Sequence, residues 1–303
     1  MFVAYSFIGK LPEYIIDTIY QTRLFFDDKI FLITDDIESQ HLDVLKNYDV
    51  IIVNYMNVYS EKFLHCYENN KNKFVVLYGL KERNLLFIRV FERLFLLQNL
   101  MGKYNVNDGF FMELDNLIYD NPKNWLKEFS KYELCYMFDN YNRCSSGVMY
   151  VKNADSLNGL LDFTLKYIDN YQSTEWMNEM ALLYDYYKNV ENENKVQIIP
   201  THWDNNQYDI PAMNYNKYNE TIFDAAAIGI YLFGNDPNAV PGPTISGIKN
   251  KFSLIDYTKY QFCWMDDKKQ RKIPHIFDGV NWIKINNLHI YTKDLKKALS
   301  IQL

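Results

Sequence analysis

The chain contains nothing like the ~20 consecutive apolar residues that a membrane-spanning helix needs; its longest strongly apolar run, near Ala225–Phe233, stops well short. No secretory leader is expected at the amino end, because Met1-Phe2-Val3-Ala4-Tyr5-Ser6 enters a strand pattern at once, without a basic flank. The expectation is a soluble protein working in the cytoplasm, with no transmembrane segment. Cysteine is scarce. Cys66, Cys135, Cys144 and Cys263 stand apart, with neither a CxxC pair nor a zinc-ligand spacing, so reduced thiols are expected and no disulfide framework is implied. There is no long Lys/Arg run, and a net charge of −6 with a pI near 5.5 gives no field attractive to nucleic acid. Internal repeats, low-complexity linkers and a clean domain boundary are also missing.

What is present is a globular composition. At 303 residues, 48% of them hydrophobic and 23% charged, the chain has the length for one large α/β domain and the apolar content for a core. Aromatics reach 17%, with 26 Tyr and 20 Phe; Asn and Lys are abundant beside them, so this richness reads as an AT-rich gene as readily as a sugar-stacking surface.

Strand and helix patterns alternate along the first third. Phe2–Ile8 is β-rich and closed by Gly9, Pro12 sits where a first helical turn tolerates proline, and Tyr14, Ile15, Thr18, Ile19 and Thr22 share one helical face. Lys29–Asp35 and Val50–Val53 read as buried strands, so the alternation predicts parallel strands covered by helices. Lys81–Leu100 is predicted as a helix, with Leu85, Ile88, Phe91 and Phe95 on its apolar stripe and Arg89 and Arg93 off it. Asp155–Asn170 and Trp176–Tyr187 read as further helices, the second with Met177, Met180, Ala181, Tyr184 and Tyr187 at core-packing spacing. Pro237, Pro241, Gly242 and Pro243 mark Gly234–Gly247 as a loop.

Phe110–Tyr119 reads Phe-Phe-Met-Glu-Leu-Asp-Asn-Leu-Ile-Tyr. On an extended strand, side chains two positions apart share a face. Glu113 and Asp115 could therefore converge on a hard divalent cation, which prefers oxygen ligands; two solvated acids at a strand end satisfy the same spacing. The segment follows a helix, which puts the acids at the carboxyl edge of a sheet, where open α/β folds hold ligands. Near the other end, Leu288-His289-Ile290 reads as a strand end, with Lys293 shortly after it. That pairing offers an imidazole to the same metal and an ammonium to a phosphate, or else an ordinary packed histidine.

Acid-x-Asp followed by Asn116-Leu117-Ile118-Tyr119, the Ser146-Gly147-Val148 segment and the terminal Leu288-His289-Ile290-x-x-Lys293 together resemble the nucleotide-sugar-dependent glycosyltransferases of GT-A fold, especially those of large DNA viruses and some bacteria. The resemblance implies an α/β fold with a Rossmann-like mixed sheet flanked by helices. It implies a single domain over residues 1–303, with a nucleotide-binding part over about 1–120 and an acceptor part, including a C-terminal segment that completes the metal site, over about 121–303. Asp115 is implied as the ligand of a metal bridging the donor's phosphates. Glu113 is implied as a metal ligand or, because of its extra methylene relative to the commoner Asp, a ribose contact. His289 would complete the metal shell and Lys293 would contact the diphosphate.

Other positions follow from the same resemblance. Tyr5 or Phe7 would stack on a pyrimidine and Asp35 accept from it, with core packing and strand-end capping as the alternatives. Ser146 and Gly147 would line the donor sugar or simply turn into a buried strand. Asn178 and Glu179 would bond the transferred sugar or sit in a solvated first helical turn. Thr221–Leu232 resembles a family segment through Gly229, with Ile230 where Gln is common and Phe233 where Gly is common. Asp224 within it is either a helix cap or an acid near the acceptor.

The expected activity is transfer of a sugar from a nucleoside-diphosphate donor, UDP-linked, to an acceptor hydroxyl. The expected metal is Mn²⁺ in preference to Mg²⁺, because a histidine joins the oxygen ligands. The acceptor would be a glycan, a glycoprotein or a small molecule, in the host cytoplasm or a viral factory if the gene is viral. Retention of anomeric configuration is expected; an inverting enzyme would need a base, for which Asp224, Asp204 and Glu179 are candidates. Loop Gly234–Gly247 would border the acceptor or serve as a connector. The competing readings are a non-catalytic nucleotide- or sugar-binding protein on a transferase scaffold and, further off, a metal-dependent nucleotidyltransferase or phosphohydrolase.

Overall fold

A computed structural model describes residues 1–74, 81–172, 177–190, 194–235 and 246–302, with side chains in the helix that begins at Lys81 described from Ile88 onward. The chain opens with β1 (Phe2–Phe7), α1 (Ile15–Phe25), β2 (Lys29–Thr34), α2 (His41–Lys46) and β3 (Val50–Asn54). Helices α3 (Glu61–Asn69) and α4 (Lys81–Tyr104) lead to β4 (Gly109–Met112) and the short β5 (Asn116–Ile118). Next come α5 (Lys123–Phe129), β6 (Leu134–Asn140), β7 (Arg143–Val151), α6 (Asn158–Asn170), α7 (Glu179–Asn189) and β8 (Val196–Ile199). Two short helices, α8 (Asp209–Ala212) and α9 (Ala227–Phe233), precede β9 (Gln261–Asp266), β10 (Lys272–Phe277), β11 (Trp282–Lys284) and β12 (Asn287–His289).

Seven strands form the main sheet in the order β3-β2-β1-β4-β7-β6-β8. Strands β1 to β4 run parallel, β7 is antiparallel to both β4 and β6, and β8 is parallel to β6. This is the mixed α/β sheet with flanking helices that the sequence led one to expect. Strand β1 shows why both faces are covered. Val3 and Tyr5 join Ile15 and Ile19 of α1 in one core, while Phe2 and Ala4 join Phe91, Leu94 and Phe95 of α4 in the other. A strand buried on both faces must be almost wholly apolar, and β1 is. The aromatic content goes largely into these cores: Tyr5, Tyr119, Tyr136, Tyr150, Phe110 and Phe129 are fully buried. Each such burial is worth about 1.5–3 kcal/mol.

Among the described residues there are two smaller sheets: β11-β10-β9, and the pair β12-β5. The second pair is a departure from expectation. Phe110–Tyr119 does not form one strand; it breaks into β4, in the main sheet, and β5, which leaves that sheet to pair with the end of the chain. The helix expected from Trp176 begins at Glu179, where Asn178 caps it by accepting from the Ala181 amide at 2.9 Å; Trp176 itself lies outside the described residues. So do the Leu85 side chain and residues 236–245, which hold Pro237, Pro241, Gly242 and Pro243 of the expected loop. Among the described residues no helix is long and apolar enough to cross a membrane.

Candidate functional site

The site begins where β4 ends. The Asn116 amide donates to the Glu113 carbonyl at 3.0 Å, which closes a turn and puts the two acids at its corners. Their convergence therefore comes from a turn between strands of two sheets, not from alternation along one strand. Leu114 between them is buried, and its carbonyl accepts the Thr18 hydroxyl of α1. Strand β5 then pairs antiparallel with β12 in a register that sets Asn116 opposite His289, and the Ile290 amide donates to the Asp115 carbonyl at 2.7 Å. The carboxyl-terminal segment is thus fastened to the acidic turn by backbone.

Side chains converge accordingly. His289 Nε2 lies 3.0 Å from Asp115 Oδ2 and 3.7 Å from Glu113 Oε2. One ligand atom from each of Glu113, Asp115 and His289 falls within 4.8 Å of the others. The Lys293 ammonium also reaches Asp115, from a residue in the left-handed region (φ 65°) that turns the chain back toward the acid. The expected meeting of His289 with Asp115 is realised.

The charges in this cluster shift one another. Burial pushes the Asp115 carboxyl up, but His289 and Lys293 outweigh it and hold the group well below the usual carboxylate range. For Glu113, burial is likewise overcome, here by Arg93 and then His289, and the net shift is downward. Burial lowers His289, yet the two carboxylates prevail and raise it above the ordinary histidine value. Lys293 is raised in the same way, its burial outweighed chiefly by Asp115. The downward shifts keep both acids ionised near neutral pH.

Arg93 is the residue the sequence did not single out. Expected off the apolar stripe of α4, it is only 7% exposed and points into the site. Its Nη1 donates to Glu113 Oε1 at 2.5 Å, and its Nη2 donates to Ser146 Oγ at 2.6 Å and to Glu179. The Ser146 hydroxyl in turn donates to Glu179. A signal was available: Phe91-Glu92-Arg93-Leu94-Phe95-Leu96-Leu97 has no polar face, and every one of these residues is buried, so its charges have to be paired internally.

Asp224 proves to be an anchor. Its carboxylate accepts the amides of Ile228 (2.9 Å), Gly229 (2.8 Å) and His289 (3.0 Å), and Asn287 braces it from the Asn116 side chain. It is 1% exposed, so it caps α9 and fixes the main chain of His289; the role of an acid facing an acceptor is not supported. Burial raises its carboxyl, an effect the three amides partly offset. Gly229 is required here, since a Cβ would stand 1.9 Å from the His289 carbonyl oxygen.

The remaining candidates divide. Tyr5 is corrected to a core residue: it is fully buried and its hydroxyl bonds Thr22 Oγ1 at 2.6 Å, which leaves no ring face for a base. Phe7 ends β1 partly exposed, and the exposed Asp35 accepts the Gly9 amide at 2.7 Å, a strand-end tie at the same carboxyl edge. Glu179 is not in a solvated first turn but 5% exposed, on Arg93 and Ser146. Gly147 packs beneath Glu113: its carbonyl accepts the Glu113 amide at 3.1 Å, and a Cβ would come within 2.9 Å of Asn116 Nδ2. Asp204 uses Oδ1 to accept the Asn206 amide at 2.9 Å, away from the acidic turn in its hydrogen bonding.

No protein-family model matches the chain, and no curated protein matches it. The chain is similar to several solved structures. The apo form of mouse xyloside xylosyltransferase 1 is 10% identical over 73% of this chain and 93% of its own, with a TM-score of 0.46. An active-site mutant of LgtC is 9% identical over 66% of this chain and 73% of its own, with a TM-score of 0.43. The glycosyltransferase GlyE of Streptococcus pneumoniae is 11% identical over 71% of this chain and 49% of its own, with a TM-score of 0.38.

Proposed function

We propose that this protein is a metal-dependent GT-A-type glycosyltransferase that moves a sugar from a nucleoside-diphosphate donor, UDP-linked, to a hydroxyl of a glycan, glycoprotein or small-molecule acceptor. The observation that carries the reading is the convergence of Glu113, Asp115 and His289, with Lys293 beside them, at the carboxyl edge of the sheet. The donor set fits a divalent ion: two ionised carboxylates and one imidazole nitrogen suit Mn²⁺ better than Mg²⁺. Bound there, the ion would supply Lewis-acid charge to a departing diphosphate.

The chain's own residues do the rest. Asp115, Glu113 and His289 would hold the ion, and Asp224 keeps the His289 backbone in place for it. Lys293 would offer its ammonium to the diphosphate, where negative charge grows as the sugar leaves; a cation placed there stabilises the transition state more than the ground state. Retention is the stereochemical reading. In its support, the carboxylates of Asp224 and Glu179 are committed to backbone amides and to the Arg93–Ser146 pair, so neither stands free as a base.

A thermal-shift comparison of nucleotides and nucleotide sugars with and without Mn²⁺ tests the proposal. Stabilisation by UDP or a UDP-sugar only when metal is present is the expected result. Stabilisation that ignores the metal would favour a non-catalytic nucleotide binder.

A further inference from the structure

Of the three groups converging on the metal position, Glu113 is the one whose aim is not set by its own backbone surroundings. Asp115 is short and held by His289 and Lys293, and the His289 main chain is gripped by Asp224. Glu113 has a longer side chain, 25% exposed, with more rotamers to lose. One of its oxygens, Oε1, is taken by Arg93, while the other, Oε2, faces His289. We propose that Arg93 is the positioning residue of this site: it claims one oxygen of Glu113 and thereby aims the other at the metal position, so that Glu113 serves as a one-oxygen ligand. The proposal rests on the metal-site reading above.

The guanidinium can do this because it is itself fixed. Its second nitrogen is tied to Ser146 and Glu179, its carbon lies 5.5 Å from the centre of the Phe111 ring, and helix α4 is buried all round where it emerges. A planar fork with three partners has one orientation, whereas a lysine ammonium at the same place could serve Glu113 without being held by the others. Glu179 is then the counter-charge that keeps the fork in place, 86 residues from Arg93 in sequence. This also explains why a charged residue sits in a helical turn where every neighbour is apolar or paired.

Binding of Mn²⁺ alone, read by electron paramagnetic resonance of the free and bound ion, tests the proposal in metal-free protein titrated with the metal. Arg93→Lys and the double variant Arg93→Met/Glu179→Gln both keep the net charge of the cluster, so a change in affinity reads position and not charge. A single Arg93→Met would strand two buried carboxylates and is not used. Both chosen variants should bind Mn²⁺ roughly ten- to a hundred-fold more weakly than the parent. The spectrum of the bound ion should also change in the two Arg93 variants, reporting altered carboxylate ligation; general loosening of the fold would lower occupancy and leave that spectrum as in the parent. Thermal melting checks folding, and either Arg93 variant alone suffices for the reading. Parent-like affinity and spectrum in a folded Arg93 variant overturn the positioning role while leaving the metal site standing. A parent that binds no Mn²⁺ overturns both.

Discussion

His289 Nε2 stands 3.0 Å from Asp115 Oδ2 across a sequence separation of 174 residues, and Asp224, on a third segment, holds the His289 amide at 3.0 Å. The imidazole is therefore aimed from its backbone, through an acid that also caps α9. Asp224→Asn offers one acceptor oxygen where two are in use, which leaves at least one buried amide unmatched. The expected cost is about 1–3 kcal/mol in denaturant unfolding. Mn²⁺ affinity should fall with it, whereas an unchanged midpoint and affinity would remove Asp224 from the account.

Close packing between α9 and β12 gives a second prediction. Gly229→Ala places a Cβ 1.9 Å from the His289 carbonyl oxygen, a clash with backbone that no rotamer relieves. Destabilisation of about 1–3 kcal/mol or more is expected. Gly102→Ala in α4 is the control: nothing lies within 4 Å of its Cβ, and alanine is the better helix former, so a gain of up to about 1 kcal/mol is expected. Equal effects from the two substitutions would argue against the packing described.

How much of this was legible in the sequence depends on whether the information was local. The strands of the first half, the α1 face and the long helix α4 were readable because their apolar periodicity is set by near neighbours. Asp115, His289 and Lys293 were legible through motif resemblance, and the structure brings them together. The turn that divides Phe110–Tyr119 was not, since β5 leaves the main sheet only because a strand from the far end of the chain is there to pair with it. Arg93 was read as the polar side of an amphipathic helix; that reading fails because a second buried layer, with Glu179 and Ser146, covers that side. Tyr5 was offered by the resemblance as a stacking residue, with core packing as the alternative, and the alternation of β1 turns it into the α1 core.

Proton and metal should compete at His289. Its folded-state value is raised above the ordinary histidine range, and a metal needs the neutral ring. Mn²⁺ affinity should therefore rise with pH up to and through that raised value and level off above it. Linkage fixes the sign for stability. In metal-free protein the contribution of the raised histidine is fully present below its unfolded value and is lost as pH rises through the folded one. Metal should restore stability over that same interval. Calorimetric titrations of Mn²⁺ across pH check both, and affinity independent of pH near neutrality would contradict the assignment of His289.

Asp139 provides a pH effect outside the Glu113–Asp115–His289 group. Burial pushes its carboxyl from 3.8 up to about 6, with the Arg143 ion pair offsetting only part of the shift. The folded state then binds the extra proton between these values, so stability should fall as pH rises from about 4 to about 6, by an amount on the order of 2–3 kcal/mol. Asp139→Asn should flatten that slope in urea unfolding at several pH values. A slope unchanged by the substitution would assign the pH dependence elsewhere.

The central claim is that Asp115 binds a metal through which a nucleoside diphosphate is held. Isothermal titration of UDP into the parent and into Asp115→Ala, each with and without Mn²⁺, tests it most directly. The account predicts that the parent binds UDP much more tightly with Mn²⁺ than without, and that Asp115→Ala, still folded by its melting curve, loses this metal dependence. Asp115→Ala binding UDP–Mn²⁺ as tightly as the parent would contradict it.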